Sequence, residues 1–141
     1  MYRVLVPVDG NEERALTQAK YVASLPNATE EVEAHLLFVF EPGSDTELPQ
    51  ELKQFKSASR VGSVRRAAEY LEERGVAVTT MDDSGDSASD IIRDAEDLDV
   101  AAIVMGGRKR SPSRKALFGS VTQSVILNTD RPVVVTGTAM I

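Results

Sequence analysis

The stretch with the clearest chemistry in this chain begins where an apolar run ends, at Met105. The pair Gly106 and Gly107 follows directly. Gly119 and Ser120 then stand where a helical pattern starts. A strand end, a glycine pair and a helix start bring backbone N–H groups and the positive end of a helix dipole together, and such a group of donors binds phosphate. The spacing therefore predicts an anion site.

Basic residues fill the segment between these two glycine regions. They are Arg108, Lys109, Arg110, Arg114 and Lys115, in a chain of formal net charge -6. Cations that oppose the overall charge of a protein are suited to binding an anionic ligand. Two other interpretations stay open, in which the segment is a solvated loop or contacts an acidic face of a partner subunit.

The elements that must position these residues alternate between strand and helix. Runs of apolar residues predict strands over residues 3–8, 32–40, 76–81, 100–105 and 133–136. Helical periodicity predicts helices over about 12–25, 59–74, 88–98 and 120–128, and a long polar loop covers 43–57. This alternation is typical of an α/β fold with a parallel sheet, and we expect one domain over residues 1–141.

With five strands, the flavodoxin-like order 3-2-1-4-5 with helices on both faces puts the ligand crevice between strands one and four. Ligands of such sheets lie beyond the carboxyl ends of the strands, where the strand order reverses. Pro7, Val8 and Asp9 end the first strand, and Met105 and Gly106 end the fourth. We therefore expect these two segments to face the same crevice.

Composition excludes several classes of site. The chain has no cysteine, which excludes thiolate metal ligands and nucleophiles, and its one histidine, His35, is predicted to be a strand residue. The acidic excess argues against a nucleic-acid surface, and it is explained by solubility or by adaptation to a salty cytoplasm. No signal-peptide pattern and no apolar run of membrane-spanning length is seen, so a cytoplasmic protein without membrane association is expected.

The order of these segments resembles the universal stress protein family. The resemblance extends over the whole chain and is carried by residues 7–9, 36–39, 103–106, 119–122 and 131–135, together with Gly85. It implies a flavodoxin-like fold and a homodimer paired through the last strands. In one branch of the family it also implies bound ATP with a divalent ion, Mg²⁺ or Mn²⁺.

The ATP-binding branch has a Gly-x2-Gly-x9-Gly-Ser/Thr pattern, which this chain keeps in part. Counted back from Gly119, the first glycine falls on Gly106, but the second falls on Lys109. Lysine resists the positive φ that glycine allows, so the phosphate turn differs here. Gly107, two residues before Lys109, is able to supply the flexibility instead. Lys109 and Arg110 add charge where backbone contacts are lost.

The alignment with this family implies a role for each site residue. Asp9 would approach the ribose or the metal, Val39 the adenine edge, and Ser120 the phosphates. The full set of predicted nucleotide-binding residues is Pro7, Val8, Asp9, Val39, Met105, Gly106, Gly107, Lys109, Arg110, Gly119, Ser120, Val121 and Thr122.

Each role has a structural alternative. Asp9 is also a candidate cap of the first helix, and Gly119-Ser120 a plain helix start. Val39 and Met105 are also candidate core residues. The acidic group Asp82, Asp83 and Asp86 lacks the ligand spacing of a calcium loop and is given little weight.

Three functions follow from these observations. The first is a nucleotide-binding stress-response protein, a binder or switch that hydrolyses ATP slowly at most, because the sequence offers no clear general base. The second is a dimeric interaction module of the same family without nucleotide. The third is an enzyme acting on a phosphorylated or adenylated small molecule.

Overall fold

The computed structural model describes residues 1–40, 61–83, 85–108 and 119–138. Five strands lie in these ranges: β1 (Tyr2–Pro7), β2 (Val32–Val39), β3 (Ala77–Asp83), β4 (Ala102–Arg108) and β5 (Val133–Thr138). They form one sheet in the order β3-β2-β1-β4-β5, and all four pairings are parallel. The strand order predicted from the sequence is confirmed.

Helices cover both faces of this sheet, as predicted. The described helices are α1 (Glu12–Ala23), α2 (Ala28–Glu31), α3 (Gly62–Glu73), α4 (Ser87–Asp97) and α5 (Ser120–Asn128). Buried residues of α1 and α3 pack on one face, and those of α4 and α5 pack on the other. The fold is therefore an α/β fold of the flavodoxin-like type.

The central strand β1 has few polar residues because both of its faces are buried. Val4 and Val6 contact the core under α1 and α3, whereas Leu5 contacts the core under α4 and α5, and all three are fully buried. Each such side chain stabilises the fold by about 1.5–3 kcal/mol. An uninterrupted apolar run is the pattern that a doubly covered parallel strand requires.

The start of α1 settles one alternative for Asp9. Asn11 is the N-cap, and its side-chain oxygen accepts a hydrogen bond from the Arg14 amide at 2.9 Å. Asp9 instead accepts a hydrogen bond from the Asn11 amide through Oδ1, also at 2.9 Å. The capping interpretation of Asp9 is wrong, and Asp9 belongs to the turn that precedes the helix.

The short helix α2 is a feature that the sequence pattern does not predict. It is a single turn of four residues, preceded by Asn27 in the left-handed region with φ of 56°. Four residues are too few to produce a helical period, so the segment is not distinguished from the turn after Pro26 by sequence alone.

The predicted long loop and the helix lengths complete the description of the fold. The predicted polar loop over 43–57 lies outside the described residues. Across the ranges given above, no helix combines the length and the apolar character needed to cross a membrane.

A crevice forms where β1 and β4 stop pairing with each other. Their register joins Val4 to Ala102 and Leu5 to Ile103. Beyond that point β1 continues against β2, as far as Pro7, and β4 continues against β5. The two strands follow different neighbours, so their carboxyl ends open a space between them, at the position where a doubly wound sheet binds its ligand.

Candidate functional site

A cavity of about 360 Å³ occupies this crevice. It is bounded by the carboxyl ends of β1, β2 and β4 and by the first turn of α5. Most of the residues predicted for the site line it: Pro7, Val8, Asp9, Val39, Met105, Gly106, Gly119, Ser120, Val121 and Thr122. Segments more than a hundred residues apart in the sequence, at Asp9 and Ser120, are thus brought to one space.

Gly107 is a predicted site residue that does not line the cavity. Gly107 pairs with Gly137 of β5, and a Cβ added to Gly107 would lie 2.7 Å from Val135 Cγ1. It therefore faces the neighbouring strand rather than the cavity, and glycine is required there for close packing. Lys109 and Arg110 lie outside the described residues.

The wall under Gly106 is formed by Gln18 of α1, a buried polar residue. Its Nε2 donates to Pro7 O at 2.6 Å and to Val104 O at 2.9 Å. These carbonyls belong to β1 and β4 just past their last paired residues, so Gln18 joins the strands after the ladder ends. A Cβ on Gly106 would lie 2.8 Å from Gln18 Oε1, which explains the need for glycine at this position.

A second wall carries an ion pair between Asp9 and Arg14. Both Nε and Nη2 of Arg14 lie 2.9 Å from Asp9 Oδ2. The backbone of Asp9 is fixed as well, because Ser63 Oγ of α3 donates to Asp9 O at 2.6 Å. The Asp9 side chain is 55% exposed and that of Arg14 is 18% exposed, so solvent reaches the carboxylate more freely than the guanidinium.

The opposite wall is the N-terminus of α5. Gly119 is the N-cap and has no side chain to accept from the first-turn amides. The N–H groups of Ser120, Val121 and Thr122 have no acceptor within the helix, because the first turn of any α-helix lacks such partners. The Gln123 amide already donates to Gly119 O at 3.0 Å. This wall therefore offers amide donors, a hydroxyl and a positive dipole to an anion.

Most of the remaining surface of the cavity is apolar, with Ser87 as a polar exception. The apolar part is provided by Leu37, Phe38, Val39, Ile91 and Met105. Met105 is only 4% exposed and packs in the core under α4, so the core interpretation and the cavity interpretation of this residue both hold. A space with one apolar side and one anion-binding side suits a ligand that has a flat apolar group linked to phosphate.

Asp9 was predicted to approach a divalent ion, and its surroundings do not fit that role. Oδ2 is engaged by Arg14, and Oδ1 accepts from the Asn11 amide. Among the residues that the structure describes, no group of three or more candidate side chains is arranged to hold a metal ion. The described side chains do not by themselves form a metal site of three or more ligands, and a metal held jointly by Asp9 and phosphates stays a prediction.

Several cavity residues were missed by the sequence analysis. They are Gly10, Arg14, Gln18, Leu37, Phe38, Ser87 and Ile91. Gln18 had a detectable signal, because it lies on the same helical stripe as the buried residues Ala15 and Val22. A glutamine on such a stripe must find buried partners, and here they are strand carbonyls. Arg14 had no comparable signal.

Next to the site, a cluster of carboxylates surrounds Arg93 of α4. Arg93 contacts Asp83 at 3.1 Å, Asp90 at 3.0 Å and Asp94 at 3.5 Å. Asp86 is separate, since it caps α4 through the Ser89 amide at 3.0 Å. Within the acidic group noted in the sequence, Asp83 is therefore ion-paired and Asp86 caps a helix.

Burial raises the pKa of Asp94 to about 7, with a further contribution from the neighbouring Asp83 carboxyl. Asp94 is 7% exposed, and Oδ2 of Asp94 and Oδ2 of Asp83 are both buried without a hydrogen-bond partner when both groups are ionised. A proton on Asp94 allows it to donate to Asp83, which removes the repulsion between the two carboxylates. The protonated form of Asp94 is therefore the one that the fold favours.

The free energy of unfolding of the wild-type chain should fall as the pH rises from pH 5 to pH 8. We expect Asp94→Asn to abolish this fall. The pKa of Asp94 is higher in the folded chain, about 7, than the value of 3.8 for a free side chain. The stability that the protonated Asp94 contributes is therefore fully present below pH 3.8, and it is lost as the pH rises through about 7. Thermal unfolding at both pH values measures the effect, with Asp97→Asn, exposed on the same helix, as the control. Equal pH dependence in the two variants would count against the shared proton.

Comparison with known proteins identifies the family. The model of the universal stress protein family matches residues 1–137. The chain belongs to this family. This universal stress protein is 25% identical over 138 residues to a curated universal stress protein of Methanocaldococcus jannaschii, a match that covers 94% of this chain and 80% of that protein. The family resemblance noted in the sequence is thus confirmed.

Solved structures agree with this assignment. A universal stress protein from Archaeoglobus fulgidus is 25% identical, with a TM-score of 0.75 over 96% of this chain and 98% of the other. A universal stress protein from the same organism, in complex with dAMP, is 21% identical, with a TM-score of 0.70 over 96% and 98% of the two chains. The second likeness concerns the fold alone.

Proposed function

We propose that this universal stress protein binds an adenine nucleotide in the cavity between β1 and β4. The observation that carries the proposal is the meeting of three chemistries in one space. The first turn of α5 offers amide donors, Arg14 offers a fixed cation, and the surface around Val39 and Ile91 is apolar. Phosphate fits the first two, and a purine base fits the third.

ATP is the nucleotide we propose, following the family branch that the sequence resembles. The A. fulgidus universal stress protein that shares this fold is in complex with dAMP, which is itself an adenine nucleotide. In this arrangement the base lies against Val39 and Ile91, and the phosphates lie at Gly119 and Ser120. The ribose then lies near Asp9, between the two ends.

We propose a binder or switch rather than a fast hydrolase. A general base must be free to accept a proton from the attacking water. Asp9 is the carboxylate among the described cavity residues, and Arg14 already occupies its Oδ2. Because Arg14 holds this carboxylate, slow turnover at most is expected, and the nucleotide acts as a ligand that changes the protein's state in a stress response.

Equilibrium dialysis tests this function with ATP and with adenosine as separate probes. We expect saturable binding of ATP at one site per chain, and weaker binding of adenosine because it lacks the phosphates that α5 and Arg14 contact. Failure of ATP to bind saturably would contradict the proposal.

Dimerisation through β5 stays a prediction from the family resemblance. β5 is at the edge of the sheet, where strands are open to pairing with a second chain. The neighbouring helix α5 also exposes Leu127, at 73%. We propose a homodimer that covers this edge. Sedimentation equilibrium measures it, and a monomer at micromolar concentration would contradict it.

A further inference from the structure

Arg14 is a cation built into the cavity by the same turn that begins α1. It lies in the first turn of α1, where its backbone amide is held by the cap residue Asn11. Its guanidinium is held by Asp9, with Nε and Nη2 both 2.9 Å from Oδ2. An arginine fixed at both its backbone and its side chain loses little further entropy when a ligand binds.

The guanidinium keeps donors free for a ligand. Arg14 uses Nε and Nη2 for Asp9, and among the described residues none accepts a hydrogen bond from Nη1. Nη1 carries two N–H groups, and planar guanidinium donors of this kind match the oxygens of a phosphate. Within the described ranges, Arg14 therefore keeps its Nη1 donors for a ligand, in a cavity that the N-terminus of α5 also lines.

The same ion pair changes what Asp9 can do. A free carboxylate at this position would repel phosphate, and a divalent ion would be needed to bridge the two. Here the charge of Asp9 is neutralised by Arg14, and a metal ion would have to compete with the guanidinium for Oδ2. The position where the family resemblance implies a metal is thus served by a protein cation.

We infer that Arg14 is the phosphate-binding cation of this protein, and that it lets the cavity hold a nucleotide without a divalent metal. The inference rests on the proposed function. Arg14 is then a specificity-determining residue of the site, and nucleotide binding does not require a metal ion.

The test compares ATP affinity in EDTA with ATP affinity in excess Mg²⁺, for the wild-type chain and for Arg14→Ala. We expect the wild-type affinity to agree within about twofold in the two conditions. In EDTA we expect Arg14→Ala to bind about tenfold more weakly, which is the effect of losing one charge-assisted contact. Mg²⁺ should restore part of that loss, because Asp9 is then free to take up a metal ion.

Two further variants separate charge from folding. Lys20→Ala removes the same charge from an exposed position of α1 that does not line the cavity, and it should leave affinity unchanged. Arg14→Gln keeps a donor for Asp9 without the charge, and it serves if Arg14→Ala fails to fold. It should show the same weakening and the same response to Mg²⁺.

The possible results distinguish this inference from the proposed function. ATP binding by the wild-type chain that requires Mg²⁺ would overturn the role of Arg14 and leave the nucleotide site intact. Unchanged affinity in folded Arg14→Ala or Arg14→Gln would overturn it in the same way. No binding by the wild-type chain in either condition would contradict the proposed function itself.

Discussion

Replacing Gln18 by glutamate should destabilise the folded chain by about 3 kcal/mol or more at pH 7, because it places an unpaired charge in the core. Gln18 is 1% exposed, and its amide donates to Pro7 O and to Val104 O. The substitution keeps the shape of the side chain, but an ionised carboxylate has no donor and repels both carbonyl oxygens. Denaturant unfolding of the two chains measures the difference.

The pH dependence of this variant separates charge from lost hydrogen bonds. Burial favours the neutral form of the introduced carboxyl, so the destabilisation of Q18E should shrink as the pH falls and the group takes up a proton. Gln18→Met is the matched control. It lacks both donors but has no charge, so it should lose about 2–3 kcal/mol at every pH. Wild-type stability in Q18E would show that Gln18 does not join the strands.

Replacing Ser120 by aspartate should weaken ATP binding about a hundredfold while leaving the fold at least as stable. A carboxylate in the first turn of α5 interacts favourably with the helix dipole and improves stability by about 0.3–1 kcal/mol. The same carboxylate stands where the proposal puts the phosphates. Repulsion between charges about 6 Å apart at an effective dielectric constant near 20 costs about 3 kcal/mol. Equilibrium dialysis and thermal unfolding measure the two effects separately.

Ser120→Asp should lower ATP affinity but raise thermal stability. A general loss of structure would lower both, so the two measurements distinguish local repulsion from unfolding. Gln123→Asp, an exposed position on the same helix but outside the cavity, adds the same charge and should leave ATP affinity near that of the wild-type chain. Unchanged affinity in Ser120→Asp would move the phosphates away from α5. ATP binding would then have to be explained by contacts with another part of the cavity.

The sheet and the crevice were predictable because they depend on features that short stretches of sequence carry. The apolar run before Pro7 and the run before Gly106 mark buried parallel strands, and parallel strands end at one edge of the sheet. The segment 119–122 marks a helix start by its glycine and serine. Each signal is local, and the strand order predicted from these signals places the segments at 7–9, 105–106 and 119–122 beside one crevice, as the structure does.

The polar contacts within the site were not predictable in the same way. Gln18 meets strand carbonyls that are 11 and 86 residues away in the sequence, and no local pattern specifies both. Arg14 contacts Asp9 across a turn in which Asn11, rather than Asp9, caps α1. Gly107 was placed in the site by its position in the motif, whereas strand pairing turns it toward Val135. Tertiary contacts, not residue type, decide these three cases.

The most direct test of a nucleotide site between β1 and β4 is an NMR titration of the ¹⁵N-labelled chain with ATP. A nucleotide bound there should shift the backbone amides of Val39, Gly106 and Ser120 saturably, with one dissociation constant for all three. The amides of Lys20 and Leu127, which do not line the cavity, should stay unchanged. Shifts that cluster away from the cavity, or no saturable shift at all, would contradict it.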